Sequence, residues 1–251
     1  MLLHYTISMP YHILADKVAE RVIVVGDPNR AKFIAERLED SKLVNDHRGL
    51  LTYNGKWKGV EVTVSTHGMG GPGAAIIFEE LIQLGAKVMV RYGTTGGIRR
   101  GVKVGDYVIP TAAYYYHGGL YTEYFGDISP APAPSIDVAW KLYQKTLEKG
   151  ERAWAYPIIS SDAFYAENRE LVERWASYGP VSVEMECATL FVICTLRRIK
   201  SGALLLVNGS HVEPVDRLIL EETMEKKLWK GAEIILDTLA ELNIEKNTLP
   251  Q

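Results

Sequence analysis

The chain has 251 residues, 47% of them apolar and 24% charged, with a formal net charge of −3. That length suits one large α/β domain or two small ones, and the slight negative charge argues against a nucleic-acid binder that works by broad phosphate neutralisation. No apolar run approaches the length needed to cross a membrane, and no basic stretch followed by an apolar one opens the chain.

Residues 1–11 are expected to form a loose arm. His12 follows with no local partner, which suits a packing or surface histidine unless it reaches into a site. The rest of the chain is organised around Arg21 to Leu38. Val22 to Val25 is a β-branched run fit for a buried strand. Gly26 permits a sharp turn, Asp27 is placed to cap a helix and Pro28 to occupy its first turn. Phe33, Ile34 and Leu38 space an apolar stripe along that helix. A strand ending at a helix N-terminus, with Arg30 beside it, is a candidate anion site. A capped turn with a surface arginine would satisfy the same residues.

Val44 to Tyr53 carries Arg48-Gly49 ahead of Tyr53-Asn54-Gly55-Lys56, an Asn-Gly hairpin signal. Val60 to Ser65 reads as a strand. Thr66 to Gly73 then opens a helix from Pro72 to Leu84 that Gly85 stops. Gly68, Gly70 and Gly73 fit G-x-G-x-x-G between a strand and a helix, the mark of a dinucleotide-binding oxidoreductase. That reading wants an acidic residue at the end of the next strand, but Lys87 to Val90 runs into Arg91. The glycines are therefore expected to let backbone approach a small ligand or another strand. Arg91 to Gly97 is a second strand end with a glycine turn, where Arg91 can fork onto an oxyanion and Thr94 can donate from side chain and backbone.

Gly105 to Tyr116 reads as a long strand, Ala131 to Pro134 as a proline-rich loop, and Ser135 to Lys149 as a helix with Leu142 and Leu147 inward. Trp154 to Ser160 is a strand, Glu170 to Ser177 a helix, and Val181 to Glu184 extended. Met185 to Leu196 reads as a helix with Cys187 and Cys194 on one buried face. Gly202 to Val207 is a buried strand, and Leu220 to Leu242 an amphipathic helix. Two such cysteines and no metal-ligand spacing suit a reduced, cytoplasmic setting. No repeat or boundary divides residues 1–251. The expected architecture is a single-domain α/β three-layer sandwich, its central sheet mixed, largely parallel and twisted, flanked by helices, with ligands at the carboxyl ends of strands.

Gly26-Asp27-Pro28-Asn29-Arg30, Arg91-Tyr92-Gly93-Thr94-Thr95-Gly96, Ser161-Asp162-Ala163-Phe164-Tyr165 and Val183-Glu184-Met185-Glu186, in that order, resemble the nucleoside phosphorylase-I family. The resemblance runs from about His12 to the last helix. It implies phosphorolysis, in which a nucleoside and phosphate give a free base and a pentose 1-phosphate. It also implies that Gly26, Arg30, Arg91 and Thr94 hold phosphate, with Arg48 donated by a neighbouring subunit. His12 would cross from the neighbour to the sugar 5′ end. Met185 and Glu186 would bind the ribose, Glu186 taking its two hydroxyls, and Phe164 would pack on the base. Thr95, Gly96 and Glu184 complete the nucleoside set, although a helix N-terminus enriched in acid accounts for Glu184 without a ligand. The family further implies a homohexamer, a trimer of dimers with shared sites, and no metal or organic cofactor beyond phosphate as co-substrate.

The residue types suit that chemistry. Glycosidic cleavage builds positive charge on the sugar, which an adjacent phosphate dianion stabilises before attacking, and Arg91 and Glu186 are the catalytic candidates that place the two reactants. Purine-cleaving relatives carry Ser-Asp after the last core strand, where this chain has Asn208-Gly209. Val207-Asn208-Gly209-Ser210-His211 instead resembles the uridine phosphorylase pattern, and Asn168 and Arg169 are candidates to hydrogen-bond uracil oxygens as charge builds. The wording of Ser160 to Glu167 and Val183 to Phe191 points the other way, to methylthioadenosine phosphorylases. The missing acid tips the expectation to uridine, with a purine nucleoside or methylthioadenosine phosphorylase that uses His211 or water in place of that acid as the alternative.

Overall fold

In the computed structural model of the protein, residues 10–116, 118–213 and 217–244 are described. The arm expected over 1–11 lies outside them except for Pro10 and Tyr11. Strand β1 (Arg21–Val25) turns Val22 and Val24 into one apolar core and Ile23 and Val25 into another, the period of two that a sheet covered on both faces requires. Helix α1 (Pro28–Ala35) begins where the Asp27 carboxylate accepts from the Asn29 amide at 2.8 Å, with Pro28 in its first turn.

Strands β2 (Glu39–Asn45), β3 (Thr52–Trp57) and β4 (Val60–Thr66) form an antiparallel extension. The hairpin turn is not at Asn54-Gly55 but at Lys58-Gly59, both at positive φ. Asn54-Gly55 lies inside β3, and a Cβ on Gly55 would come within 2.9 Å of the Leu38 Cβ. This glycine answers a close approach rather than a turn.

The chain continues through α2 (Gly71–Gln83), β5 (Val88–Gly97), β6 (Tyr107–Tyr115), α3 (Gly119–Phe125), α4 (Ile136–Glu148), β7 (Ala153–Ser160), α5 (Arg169–Ser177), β8 (Ser182–Glu184), α6 (Cys187–Leu196), β9 (Lys200–Ser210) and α7 (Arg217–Glu241). The short α3 is not among the elements expected from the sequence. In α4 it is Val138, Leu142 and Thr146 that face inward, and Leu147 is 49% exposed.

The strands join in the order β2-β3-β4-β1-β5-β8-β7-β6-β9, and β5 also pairs with β9. The second half of the sheet therefore closes on itself through β5, β8, β7, β6 and β9. Parallel pairings (β1–β4, β1–β5, β5–β9, β6–β7, β7–β8) alternate with antiparallel ones, so the sheet is mixed. Helices α2 and α6 cover one face and α1, α4 and α7 the other. Cys187 and Cys194 are both buried thiols under that first cover. Full burial of each aliphatic side chain in these layers is worth about 1.5–3 kcal/mol, so the strand ends they position are held on a stiff frame.

Candidate active site

The carboxyl ends of β1, β4 and β5 and the start of α6 meet at one place. Gly26 follows β1, and a Cβ there would stand 3.1 Å from the Gly68 carbonyl oxygen and 3.6 Å from the His67 ring. The Arg30 guanidinium, on the first turn of α1, donates from Nη1 to the Tyr92 carbonyl at 3.2 Å and lies over the Tyr92 ring. Among the described residues no carboxylate reaches ion-pair distance of Arg30. Burial lowers its pKa, and the nearby positive Arg91 lowers it further. Two arginines that repel each other, one on the first turn of α1 and one inside β5, form a place where an anion is stabilising.

Arg91 is 5% exposed and each of its three side-chain nitrogens has a partner, which leaves a second N–H on each Nη. Nε donates to Glu184 Oε2 at 3.1 Å and Nη2 lies 2.5 Å from Glu186 Oε2. Nη1 is 3.0 Å from His67 Nε2. Arginine has no acceptor, so His67 must accept there and carry its proton on Nδ1. Burial, with Arg91 adding to it, holds the His67 pKa well below its usual value, and the ring stays neutral. Burial also works against the Arg91 charge, but Glu186 and Glu184 together outweigh it and raise its pKa. Gly93 is needed beside it, since a Cβ would stand 2.8 Å from the guanidinium carbon.

The two carboxylates divide the work. Glu184 Oε1 accepts from Ser160 Oγ at 2.5 Å, and Glu184 also receives the amides of Glu186 and Cys187 at the head of α6. It is buried and fully engaged, as an acid at a helix N-terminus is expected to be. Although it lines the cleft, its oxygens are committed to the scaffold rather than to a nucleoside. Glu186 accepts the Gly70 amide at 2.7 Å, which the positive φ of Gly70 makes possible. Burial raises the Glu186 pKa, Arg91 pulls it back and Glu184 pushes it up, the pattern of two carboxylates sharing one guanidinium.

These groups open into a cleft of about 420 Å³ whose walls include Arg91, Thr94, Met185, Glu186, Phe164 and His211. Thr95, Gly96 and Glu184 also line it, but the Thr95 hydroxyl is taken by the Val183 carbonyl at 2.7 Å. The register of β5 against β9 slips between Thr95 and Gly96, which makes Asn208 a bulged residue at the cleft wall. Glu167 and His211 face each other there, with Oε2 and Nε2 3.5 Å apart. Glu167 carried no signal in the sequence beyond being an acid after an aromatic pair.

Gly26 and Arg30 stand behind Arg91 and His67 without lining the cleft, and four further expected residues stand elsewhere. Asn168 is the N-cap of α5, its Oδ1 accepting from the Leu171 amide at 2.9 Å, and Arg169 is paired with Glu173 on the outside of that helix. Neither lines the cleft, so the proposed reading of uracil oxygens by this pair is corrected: a helix start claims the one and solvent the other. His12 does have a partner, since its Nδ1 lies 2.7 Å from Glu80 Oε1. Arg48 is exposed in a 3-10 turn over His47–Gly49 with φ of 57°. Neither His12 nor Arg48 lines the cleft of its own chain.

The phosphorylase superfamily model matches residues 20–240. The chain belongs to the nucleoside phosphorylase-I family. Similar phosphorylases include the DeoD-type purine nucleoside phosphorylase of Clostridium beijerinckii, 36% identical over 238 residues, which span 93% of this chain and 99% of that one. The Clostridium perfringens protein of the same name is 33% identical over 91% of this chain and 98% of its own. The guanosine phosphorylase of Halorubrum lacusprofundi is 32% identical over 80% and 83% respectively. As a nucleoside phosphorylase the protein is a pentosyltransferase, and the mixed three-layer sandwich is the fold expected of it. Among the described residues no helix is long and apolar enough to cross a membrane.

Proposed function

We propose that the protein is a purine nucleoside phosphorylase: purine ribonucleoside and phosphate give free purine and ribose 1-phosphate. The observation that carries this reading is the Arg91–Glu186 pair on one cleft wall. Arg91 and Arg30 would hold phosphate with the Gly26 amide and Thr94, below a ribose whose two hydroxyls donate to Glu186. Met185 and Phe164 would pack against sugar and base. The two arginines would supply the positive field for phosphate attack, and the bound geometry would supply the alignment. No cofactor beyond phosphate enters this scheme.

The purine reading replaces the uridine expectation. Relatives that align over nearly the whole chain carry purine or guanosine names, and Asn168 and Arg169, on which uracil recognition leaned, point away from the cleft. His12 and Arg48 fit a homo-oligomer, a hexamer in the family pattern, in which each completes a neighbour's site. Buried unpaired cysteines are in keeping with action in the cytoplasm.

A substrate panel tests this. Inosine, guanosine, adenosine, methylthioadenosine and uridine are incubated with the protein, with and without phosphate. Release of purine that depends on phosphate and exceeds uracil release by tenfold or more supports the reading. Uracil release equal to or above purine release returns it to uridine, and base release indifferent to phosphate removes phosphorolysis.

A further inference from the structure

A purine anion is a poor leaving group, and its departure is eased by a proton delivered to the imidazole half of the ring. The family resemblance implies an aspartate after the last core strand in purine-cleaving enzymes, and this chain has Gly209 there. The position is empty in a physical sense, because a Cβ built on Gly209 meets no atom within 4 Å. Another group must handle the proton if purines are to leave quickly.

We propose that Glu167 and His211 together form the proton donor to the departing purine. Of the charged side chains in the cleft, Arg91, Glu184 and Glu186 are bonded to one another. Glu167, on the loop before α5, and His211, just past β9, stand apart from that cluster and face each other at 3.5 Å. The Glu167 side chain is 5% exposed and that of His211 is 32% exposed, so the carboxyl is sheltered while the ring is open to the cleft. Burial raises the Glu167 pKa, against the opposing pull of a Ser161 hydrogen bond and of His211. A sheltered carboxyl that keeps its proton more readily than usual is suited to general-acid work.

The backbone is shaped around the pair. The His211 amide donates to the Gly97 carbonyl at 2.9 Å, which fixes the residue against the end of β5. A Cβ on Gly96 would stand 2.9 Å from His211 Nε2 and 3.0 Å from its Cδ2, so the ring packs against β5 where glycine leaves room for it. The bulge at Asn208 stands three residues before His211, and both residues line the cleft.

The step balances as follows. A phosphate oxygen forms the bond to the anomeric carbon as the glycosidic bond breaks. The electron pair of that bond passes to the purine, and the proton held by the Glu167–His211 pair goes to its N7. The pair regains a proton from solvent, and the attacking phosphate releases its own hydroxyl proton. The proton belongs to the pair rather than to one member, as in other coupled sites.

The inference rests on the phosphorylase reading, and the experiment separates the two. Wild type, Glu167→Gln, His211→Asn and Glu167→Gln with Gly209→Asp are assayed in phosphate on inosine and on 7-methylinosine. The methylated base already carries its positive charge and leaves without a proton. We expect each single variant to lose about 10²-fold or more in kcat on inosine, in the range general acids supply, and under threefold on 7-methylinosine. Gly209→Asp is expected to recover tenfold or more on inosine, since an aspartate there has room. Activity on the methylated substrate also reports that the variants are folded. Equal losses on both substrates, or no loss on either, overturn the assignment while leaving phosphorolysis intact. Wild-type protein that releases base from neither substrate overturns both.

Discussion

Glu186 Oε2 lies 2.5 Å from Arg91 Nη2 while its other oxygen takes the Gly70 amide at 2.7 Å. One buried carboxylate thus ties β5 to the loop that opens α2 and still faces the cleft. Removing its charge while keeping its shape is the cleanest probe of the ribose role. We expect Glu186→Gln to lower kcat on inosine by about 10- to 100-fold, the value of a charge-assisted hydrogen bond of about 1.5–3 kcal/mol. On 2′,3′-dideoxyinosine, which lacks the diol, the change should stay within a few-fold. Equal losses on the two nucleosides would show that Glu186 acts on Arg91 and not on the sugar.

Arg91 neutralises two buried acids, so its loss should be felt in stability as well as catalysis. Taking one partner from a buried ion pair costs about 3–5 kcal/mol. We expect Arg91→Ala to lower the denaturation free energy by an amount of that order and Arg91→Lys by less. At substrate concentrations where both variants remain folded, KM for phosphate should rise more than KM for nucleoside. A proportionate rise in both would remove Arg91 from the phosphate set.

How much of this was legible in the chain follows from how local each signal is. The cap at Asp27, the proline at Pro28 and the alternation through Val22 to Val25 are set by neighbours in sequence, and they stand where the sequence put them. Gly26, Arg30, Arg91 and Glu186 could be named together because three motifs marked them, but the glycine turn expected over Arg91 to Gly97 is instead strand, since β5 runs on to Gly97 and holds Arg91 inside it. Asn168 misled because an N-cap and a ligand-binding amide use the same side chain, and only the helix beginning at Arg169 tells them apart. Glu80 and Glu167 were invisible because their partners lie far along the chain: His12 sits 68 residues from Glu80. Gly55 read as a turn because the close approach of Leu38 has no trace in the local sequence.

Glu80 gathers the start of the described chain, its carboxylate accepting the amides of Tyr11, His12 and Ile13. Burial alone would raise the Glu80 pKa, but the His12 ring and these three amides outweigh it and lower it. A depressed carboxyl contributes stability that is complete above its unfolded value and is lost as pH falls through the folded one. We therefore expect the Tyr11–Ile13 amides to lose hydrogen-exchange protection as pH falls below the ordinary carboxyl range. Glu80→Gln should remove that protection at neutral pH too. Protection that does not change in either case would mean the anchor lies elsewhere. If His12 completes a neighbour's site, the same variant should raise KM for nucleoside and leave KM for phosphate unchanged.

A Cβ added to Gly231 on α7 would collide with the Tyr92 ring, 2.7 Å from its Cζ, and the Tyr92 hydroxyl donates to the Leu228 carbonyl at 2.7 Å. Neither helix backbone nor buried aromatic gives way easily. We expect Gly231→Ala to destabilise by about 1–3 kcal/mol, as overpacking does, in thermal or chemical denaturation. Gly209→Ala, where a Cβ has open space, should change stability by much less. Equal effects would show that α7 can move off the sheet.

The central claim is that Arg30 and Arg91 hold a phosphate that attacks a ribose held by Glu186. The most direct test is phosphorus NMR of the wild-type protein with inosine and inorganic phosphate. Phosphorolysis requires a new phosphomonoester signal that grows in step with hypoxanthine and vanishes in phosphate-free buffer. Hypoxanthine appearing alongside free ribose, with the phosphate signal undiminished, would contradict it.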